Sequence, residues 1–279
     1  MMKNKAVSAT PNNQKDNFLI IFIKGLLALL ASTLGVFVLF GFILGFLEGH
    51  INSKLCNSFG SGAVLITSII GTPIHEISHW IGCLLFGFKV SDVKLLRPVA
   101  YKTDGVLGYV TYSYSTENIW QNIGCVFTGM APMIFGIVFI YIVIRLVTPE
   151  IYKEIRNRLE TACLKAGKSI RIFPCCMSVF TGFVSGLFKL RKWGILRGII
   201  CCYAVMSISM HMTMSSADIS NALTGIIPLI IIYIAVALIL TVFRTNITQK
   251  SLKIGAFLSA ALSVGVVFDL LLLLILVIL

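Results

Sequence analysis

The sequence predicts an all-α polytopic membrane protein of about six transmembrane helices, with a small β-hairpin region after one of them. Hydrophobic residues make up 57% of the 279 residues, charged residues make up 12%, and the mean hydropathy is +0.95. A soluble domain of this length carries about 25% charged residues, so the composition excludes a soluble globular protein. The apolar residues also occur in long runs, each near the roughly 20 residues that a bilayer-spanning helix needs.

These runs divide the chain into a polar tail and one membrane domain. Residues 1–16 are polar and are interpreted as an N-terminal tail, and residues 17–279 form the membrane domain, with its core at 61–243. The first apolar run is too long for the core of a signal peptide and no A-x-A site closes it, so we interpret it as a span. The six candidate spans are 18–47, 61–87, 119–147, 195–214, 220–243 and 254–279.

Residues 88–118 have a different pattern from the rest of the chain. The segment contains short alternating runs such as VTYSYS, and it is rich in Tyr, Val and Thr, which favour strands. Asp104-Gly105 is a hairpin signal between such runs. We therefore expect a β-hairpin region at 88–118, at the membrane surface or inserted against the helices.

Residues 148–194 form the largest polar loop, and the loop is basic. Between Arg145 and Arg197, eleven Lys or Arg residues stand against three Glu residues. The apolar segment 173–188 lies inside this loop, is shorter than a full span and has basic residues on both sides. This pattern favours an interfacial or re-entrant helix, and a seventh span is the alternative.

The net charge of +12 does not indicate a nucleic-acid partner. The basic residues lie between apolar spans, as the positive-inside rule requires, and they form no aromatic-interleaved patch. The partner that the composition indicates is the lipid bilayer. With six spans, the same rule places the 148–194 loop in the cytoplasm, and the N-terminus and the hairpin region outside.

The candidate span at 61–87 contains the motif His-Glu-x-x-His at residues 75–79. His75 and His79 are four residues apart, so they share one helix face and can bind the same ion. Two neutral imidazoles suit Zn²⁺. Glu76 is the candidate catalytic residue, since a carboxylate at this position can act as general base on a water activated by the metal. Ionisable groups inside a span are costly, which favours a metal site over a pair of buried polar residues.

A catalytic zinc site takes three protein ligands, and the sequence offers several candidates for the third. Asp218 is the first candidate, because the polar cluster around it interrupts two apolar runs. The alternative for Asp218 is a role as helix cap only. His211 is the second candidate, and Asp269 and Glu48 also lie in or near spans.

Three segments resemble the site-2 protease class of intramembrane zinc metalloproteases. They are HEISHWIGCLLFGFKVSDVKLL from His75, FTGMAPMIFG at 127–136 and SSADISNALTGIIP at 215–228. The third segment is similar to the Asp-containing segment of the branch that includes sporulation-factor processing proteases. It departs from the usual Leu-Asp-Gly or Asn-Pro-x-x-Asp-Gly signature, because Ile219 follows the Asp.

The resemblance implies a zinc-dependent endopeptidase that cleaves a membrane-protein or membrane-peptide substrate in or near a transmembrane segment. It implies His75, His79 and Asp218 as metal ligands and Glu76 as catalytic base. The expected location is a cell membrane, crossed several times, of the bacterial cytoplasmic type. The family commonly places its β region on the cytoplasmic side, whereas the charge rule places residues 88–118 outside, and the sequence leaves this conflict open.

Two other functions remain open at this stage. The chain could be a non-catalytic membrane protein, either a transporter or an inactive protease relative, since a broken polar helix such as 207–229 occurs in transporters. It could instead act on a lipid or a prenylated peptide. Enzymes of that kind use a downstream Glu ligand, and those available here, Glu117, Glu150, Glu154 and Glu160, all lie in polar loops.

Overall fold

The computed structural model describes residues 11–165, 172–190 and 194–278, and it is almost entirely helical apart from one two-stranded sheet. Helix α1 continues through a π-helical turn, Ala31–Gly35, into α2 without a break in the chain direction. The helices are α1 Pro11–Leu30, α2 Val36–Phe59, α3 Ser61–Phe86, α4 Tyr101–Asp104, α5 Ile119–Val147, α6 Pro149–Lys165, α7 Ile172–Phe188, α8 Gly194–Met210, α9 Ser216–Thr224, α10 Ile226–Val242 and α11 Ile247–Ile278.

Three helices within the described residues are long and apolar enough to cross a membrane: Phe18–Phe59, Ile119–Val147 and Ile247–Ile278. A fourth crossing results if α9 and α10, which are bent by 57° at their junction, form one broken span. The fold is thus compatible with a multi-pass membrane protein, but the expected six spans are not confirmed. Helix α3 has sufficient length, but its central His and Glu residues lower its hydropathy, and α8, with 17 residues, is short for a full crossing.

The N-terminal region is more helical than the sequence predicts. Residues 1–10 of the expected tail lie outside the described residues, whereas 11–16 belong to α1. The C-terminal boundary of the candidate span 18–47 was also wrong, because α2 runs to Phe59 and ends at Gly60, which has a φ of 76°. No proline or glycine with a positive φ interrupts α2 before Gly60, so nothing in its sequence stops the helix earlier.

The hairpin expected at 88–118 is confirmed, although its turn differs from the prediction. Strand β1, Lys89–Lys94, pairs antiparallel with β2, Tyr109–Ser113, and a bulge interrupts the register between Val90 and Asp92. Asp104-Gly105 is not a two-residue turn. Asp104 ends the short helix α4, and Gly105 has the positive φ of 71° that this helix end requires.

The basic region 148–194 contains two packed helices. The polar α6 and the apolar α7 approach closely because Gly182 and Gly186 of α7 face the backbone of Ile155 and Ile151, where a Cβ would lie 2.7 Å from each Cα. Helix α7 also contacts α11 through an edge-to-face pair of Phe183 and Phe268. Whether 173–188 is interfacial, re-entrant or spanning stays a prediction, and residues 166–171 and 191–193 lie outside the described part of the chain.

Candidate metal centre

The metal-binding group expected from the sequence converges at one point between three helices. Nε2 of His75 and Nε2 of His79, both on α3, lie 3.0 Å apart. Of the Asp218 carboxylate, at the start of α9, Oδ1 lies 3.2 Å from Nε2 of His79 and Oδ2 lies 3.9 Å from Nε2 of His75. His79 is 5% exposed and Asp218 8%, so the group is buried. A metal ion could be held by these three side chains, which form the only such group found among the described residues.

The distances between these atoms fit a tetrahedral ion. Donors about 2.0–2.2 Å from a tetrahedral zinc lie about 3.3–3.6 Å from one another. The two Nε2 atoms are 3.0 Å apart and Oδ1 of Asp218 is 3.2 Å from Nε2 of His79, both close to this range, whereas the distance of 3.9 Å to His75 is that of the other oxygen, Oδ2. The side chains therefore need only small rotamer adjustments to coordinate one ion together.

Two backbone carbonyls fix the tautomer of both imidazoles. Nδ1 of His75 donates to the carbonyl of His211 at 2.6 Å, and Nδ1 of His79 donates to the carbonyl of Thr128 at 2.9 Å. A carbonyl can only accept, so the proton of each neutral ring is on Nδ1 and the lone pair is on Nε2. This is the arrangement that orients histidine ligands in metal sites.

The Thr128 carbonyl is free to accept because of a proline. Pro132 lies inside α5, four residues after Thr128, and it has no N–H to bond to that carbonyl. The His211 carbonyl is free for another reason, since α8 ends at Met210. Neither carbonyl was predicted from the sequence, although Pro132 in the segment FTGMAPMIFG was a signal for the first.

The consequence is an excess of acceptors in a buried site. Two unprotonated nitrogens and one carboxylate face one another, and neither imidazole has a proton left to share at Nε2. Such an arrangement is electrostatically unfavourable in a low-dielectric interior unless a metal ion occupies its centre or one imidazole takes up a second proton and pairs with the carboxylate. The chemistry of the donors therefore fits a metal ion.

Asp218 serves as a helix cap and also faces the histidines. Its Oδ2 accepts from the backbone N–H of Ser215 at 2.8 Å, and Oγ of Ser215 accepts from the backbone N–H of Asp218 at 3.2 Å, which forms a capping box. The other oxygen, Oδ1, lies toward His79. The two interpretations of Asp218 from the sequence are thus compatible, and the cap fixes the orientation of the carboxylate.

Small residues bring α9 and α8 close enough to complete the group. A Cβ on Gly129 of α5 would lie 2.7 Å from the backbone oxygen of Asp218, and a Cβ on Gly225 would lie 1.9 Å from the backbone oxygen of Asn122. On the other side, a Cβ on Gly71 of α3 would lie 2.0 Å from the backbone oxygen of Ser207 in α8. Larger side chains at these positions would separate the helices that carry the ligands.

Glu76 lies beside the three ligands and under the hairpin. Its side chain is 6% exposed, and a Cβ on Gly108 at the start of β2 would lie 2.8 Å from its Cγ. No hydrogen bond to the Glu76 carboxylate is formed within the described residues. A carboxylate in this position is available to take a proton from a water and to return it, which is the role expected for a general base.

The other candidates for the third ligand point elsewhere. The His211 ring lies against Gly71 and contributes only its backbone carbonyl to the site. Asp269 is fully buried on α11 and accepts from Ser209 at 2.6 Å. Glu48 accepts from the Thr213 hydroxyl. Among the candidates considered from the sequence, Asp218 alone is brought to both imidazoles.

Comparisons with known proteins found no family model, no curated protein and no solved structure that matches this chain.

Proposed function

We propose that the chain is an intramembrane zinc metalloprotease of the site-2 protease class. It would hydrolyse a peptide bond in or near a transmembrane segment of a membrane-protein substrate. One observation carries the proposal: the buried convergence of the Asp218 carboxylate on Nε2 of His75 and His79, with Glu76 beside it and apolar helices around it. A site with no substrate to process has no need for an unpaired general base at this position.

The donor set favours zinc over the other abundant divalent ions. Magnesium and calcium prefer sets made of oxygen donors, whereas two imidazoles and one carboxylate are a common catalytic zinc set. When bound, the metal would polarise the scissile carbonyl and lower the pKa of the attacking water. Three protein ligands leave a fourth position open for water or substrate.

The chain's own residues would then divide the hydrolysis between them. Glu76 takes one proton from the attacking water as the water oxygen bonds to the carbonyl carbon. Glu76 delivers that proton to the amide nitrogen as the C–N bond breaks, which releases an amine and a carboxylic acid. The Thr128 and His211 carbonyls keep the imidazoles oriented throughout, since their hydrogen bonds do not involve Nε2.

The membrane arrangement of this enzyme would use six crossings, with α3 and α8 crossing alongside the helices of clear spanning length. A location in a bacterial cytoplasmic membrane is part of the proposal. A helical substrate must unwind before cleavage, because its carbonyls are bonded within the helix. Among the described residues the sheet of the hairpin has two strands, so a strand edge is available to pair with an extended substrate segment.

The test is a metal and cleavage assay on the full chain purified in detergent. We expect about one zinc per chain, lost in His75→Ala and in His79→Ala. Glu76→Gln should keep the zinc and lose cleavage of a quenched fluorescent peptide with an apolar transmembrane sequence. His50→Ala is the matched control, because His50 is exposed on α2 and, within the part of the chain that the structure describes, bonds to the carbonyl of Phe46. A chain without metal would instead support a transporter or an inactive relative.

A further inference from the structure

Two tyrosines at the end of β2 occupy nearly equivalent positions on Phe88. Tyr112 lies in β2 and Tyr114 directly follows its last residue, and each ring stacks on Phe88 with a centroid separation of 5.3 Å. Each hydroxyl also contacts α9: Tyr112 contacts Asn221, and Tyr114 contacts Thr224. The two tyrosines therefore have the same packing on Phe88, but their hydroxyls reach different turns of α9.

Tyr112 is the member of the pair that lies next to the metal ligands. Asn221 is three residues after Asp218, so it is one helical turn from that ligand on the same side of α9. Both tyrosines also pack against the cluster formed by Cys83, Phe88 and Cys125, and Cys83 lies four residues after His79 on α3. What distinguishes Tyr112 is its bond to Asn221, which places its hydroxyl one turn of α9 from Asp218.

The hydrogen bond from Asn221 sets the direction of the Tyr112 hydroxyl proton. Nδ2 of Asn221 donates to the Tyr112 oxygen at 3.2 Å, so the phenol is the acceptor in this bond. Its own proton points away from the Asn221 amide, and no acceptor for it lies within hydrogen-bonding distance among the described residues. Burial raises the pKa of Tyr112, and the nearby Asp218 carboxylate raises it further, which keeps the phenol protonated.

We propose that Tyr112 is a catalytic residue whose phenolic O–H donates a hydrogen bond to the oxygen of the scissile carbonyl as negative charge develops there. This inference rests on the proposed protease function and adds a second group to Glu76. A preorganised donor of this kind, in a site that excludes water, stabilises the charge more strongly in the transition state than in the substrate. No covalent bond to Tyr112 forms, and its proton stays on the phenol.

The first test compares Tyr112→Phe with Tyr114→Phe, since both changes remove one hydroxyl and keep the ring on Phe88. Loss of one donor to a developing oxyanion lowers kcat by roughly 100-fold or more. We expect a loss of that order in Tyr112→Phe, with KM within about twofold of the unchanged protein, because the bond strengthens only in the transition state. Tyr114→Phe should retain kcat within about twofold, and both variants should keep one zinc per chain.

The second test needs no turnover. A phosphinate analogue of the peptide carries a tetrahedral anionic group at the scissile position, whereas the unmodified peptide does not. We expect Tyr112→Phe to weaken binding of the phosphinate at least about tenfold. In a Glu76→Gln background, the same change should leave binding of the unmodified peptide unaltered.

The outcomes separate the two proposals. If the unchanged protein cleaves in a Glu76-dependent manner and Tyr112→Phe cleaves equally well, the role of Tyr112 is overturned and the protease proposal stands. Equal losses in Tyr112→Phe and Tyr114→Phe would show a packing role for both hydroxyls and also overturn it. If cleavage is absent or independent of Glu76, the protease proposal fails, and the role of Tyr112 fails with it.

Discussion

Nδ1 of His79 donates to the backbone carbonyl of Thr128 at 2.9 Å, although the two residues lie on different helices. The carbonyl can accept because Pro132, one turn further along α5, offers it no N–H. A helix-disrupting residue in one helix thereby orients a candidate metal ligand in another. The relationship also explains why an apolar helix contains a proline at a buried position beside the site.

Replacement of Pro132 tests whether the free Thr128 carbonyl orients His79. Pro132→Ala supplies an N–H that competes with His79 for the Thr128 carbonyl. We expect metal affinity to fall by roughly tenfold, as for loss of a partner that orients a histidine ligand. Titration of the metal-free protein with Zn²⁺ against a competing chelator measures the change. Pro228→Ala in the first turn of α10 is the control and should leave the affinity unchanged, since an N–H there has no intrahelical partner.

The identity of the third ligand can be tested with two isosteric changes. Asp218→Asn removes the charge that faces His79, and we expect zinc to be lost on dialysis against a weak chelator. Asp269→Asn changes an equally buried carboxyl group that bonds to Ser209, outside the metal group, and should retain one zinc per chain. Metal analysis of the purified variants decides the matter. Retention of zinc in Asp218→Asn would remove Asp218 from the ligand set.

The contact between α3 and α8 predicts that alanine substitutions at two glycines of α3 have very different effects on the free energy of unfolding. A Cβ on Gly71 would meet the backbone oxygen of Ser207 at 2.0 Å, whereas a Cβ on Gly62 meets nothing within 4 Å. We expect Gly71→Ala to destabilise the protein by about 1–3 kcal/mol or more, since backbone must move. Gly62→Ala should be neutral or stabilise by up to about 1 kcal/mol through helix propensity. Thermal unfolding in detergent compares the two variants. Equal melting temperatures would contradict the close contact between Gly71 and the backbone of Ser207.

The pairing of α6 with α7 predicts a pH-dependent stability. The hydrogen bond from Lys189, directly after the end of α7, lowers the pKa of Glu154 to about 2 from its usual 4.5, and the bond from Arg158 lowers it as well. Because the pKa is lower in the folded state, the ionised pair stabilises the fold above about pH 4.5, and this contribution is lost as the pH falls toward 2.

Glu154→Gln should therefore unfold more easily than the unchanged protein at pH 7, and the difference should shrink as the pH falls below 4.5. Glu160→Gln is the control, because among the described side chains Glu160 pairs with Arg156 of the same helix at an exposed position. Melting temperatures between pH 3 and pH 7 measure both variants. If the difference in melting temperature between Glu154→Gln and the unchanged protein does not vary with pH, ionised Glu154 is not the stabilising group.

Several features of the fold followed directly from the sequence because they depend on local patterns. The span predicted at 119–147 coincides with α5, and the strands predicted after the His-Glu-x-x-His helix are present. The predictions failed where a boundary depends on more than apolar run length. Helix α2 continues through the polar residues 48–59, and Asp104-Gly105 ends a short helix within a longer connection.

The sequence by itself determined that His75, Glu76 and His79 share one stretch of helix, since a spacing of four residues fixes the relative position of two side chains. It could not choose between Asp218, His211 and Asp269, because each lies on another helix and the sequence does not record which faces meet. Tertiary structure made that choice through the close contacts at Gly71, Gly129 and Gly225. Those contacts are set by the packing of backbones against one another, which no local spacing specifies.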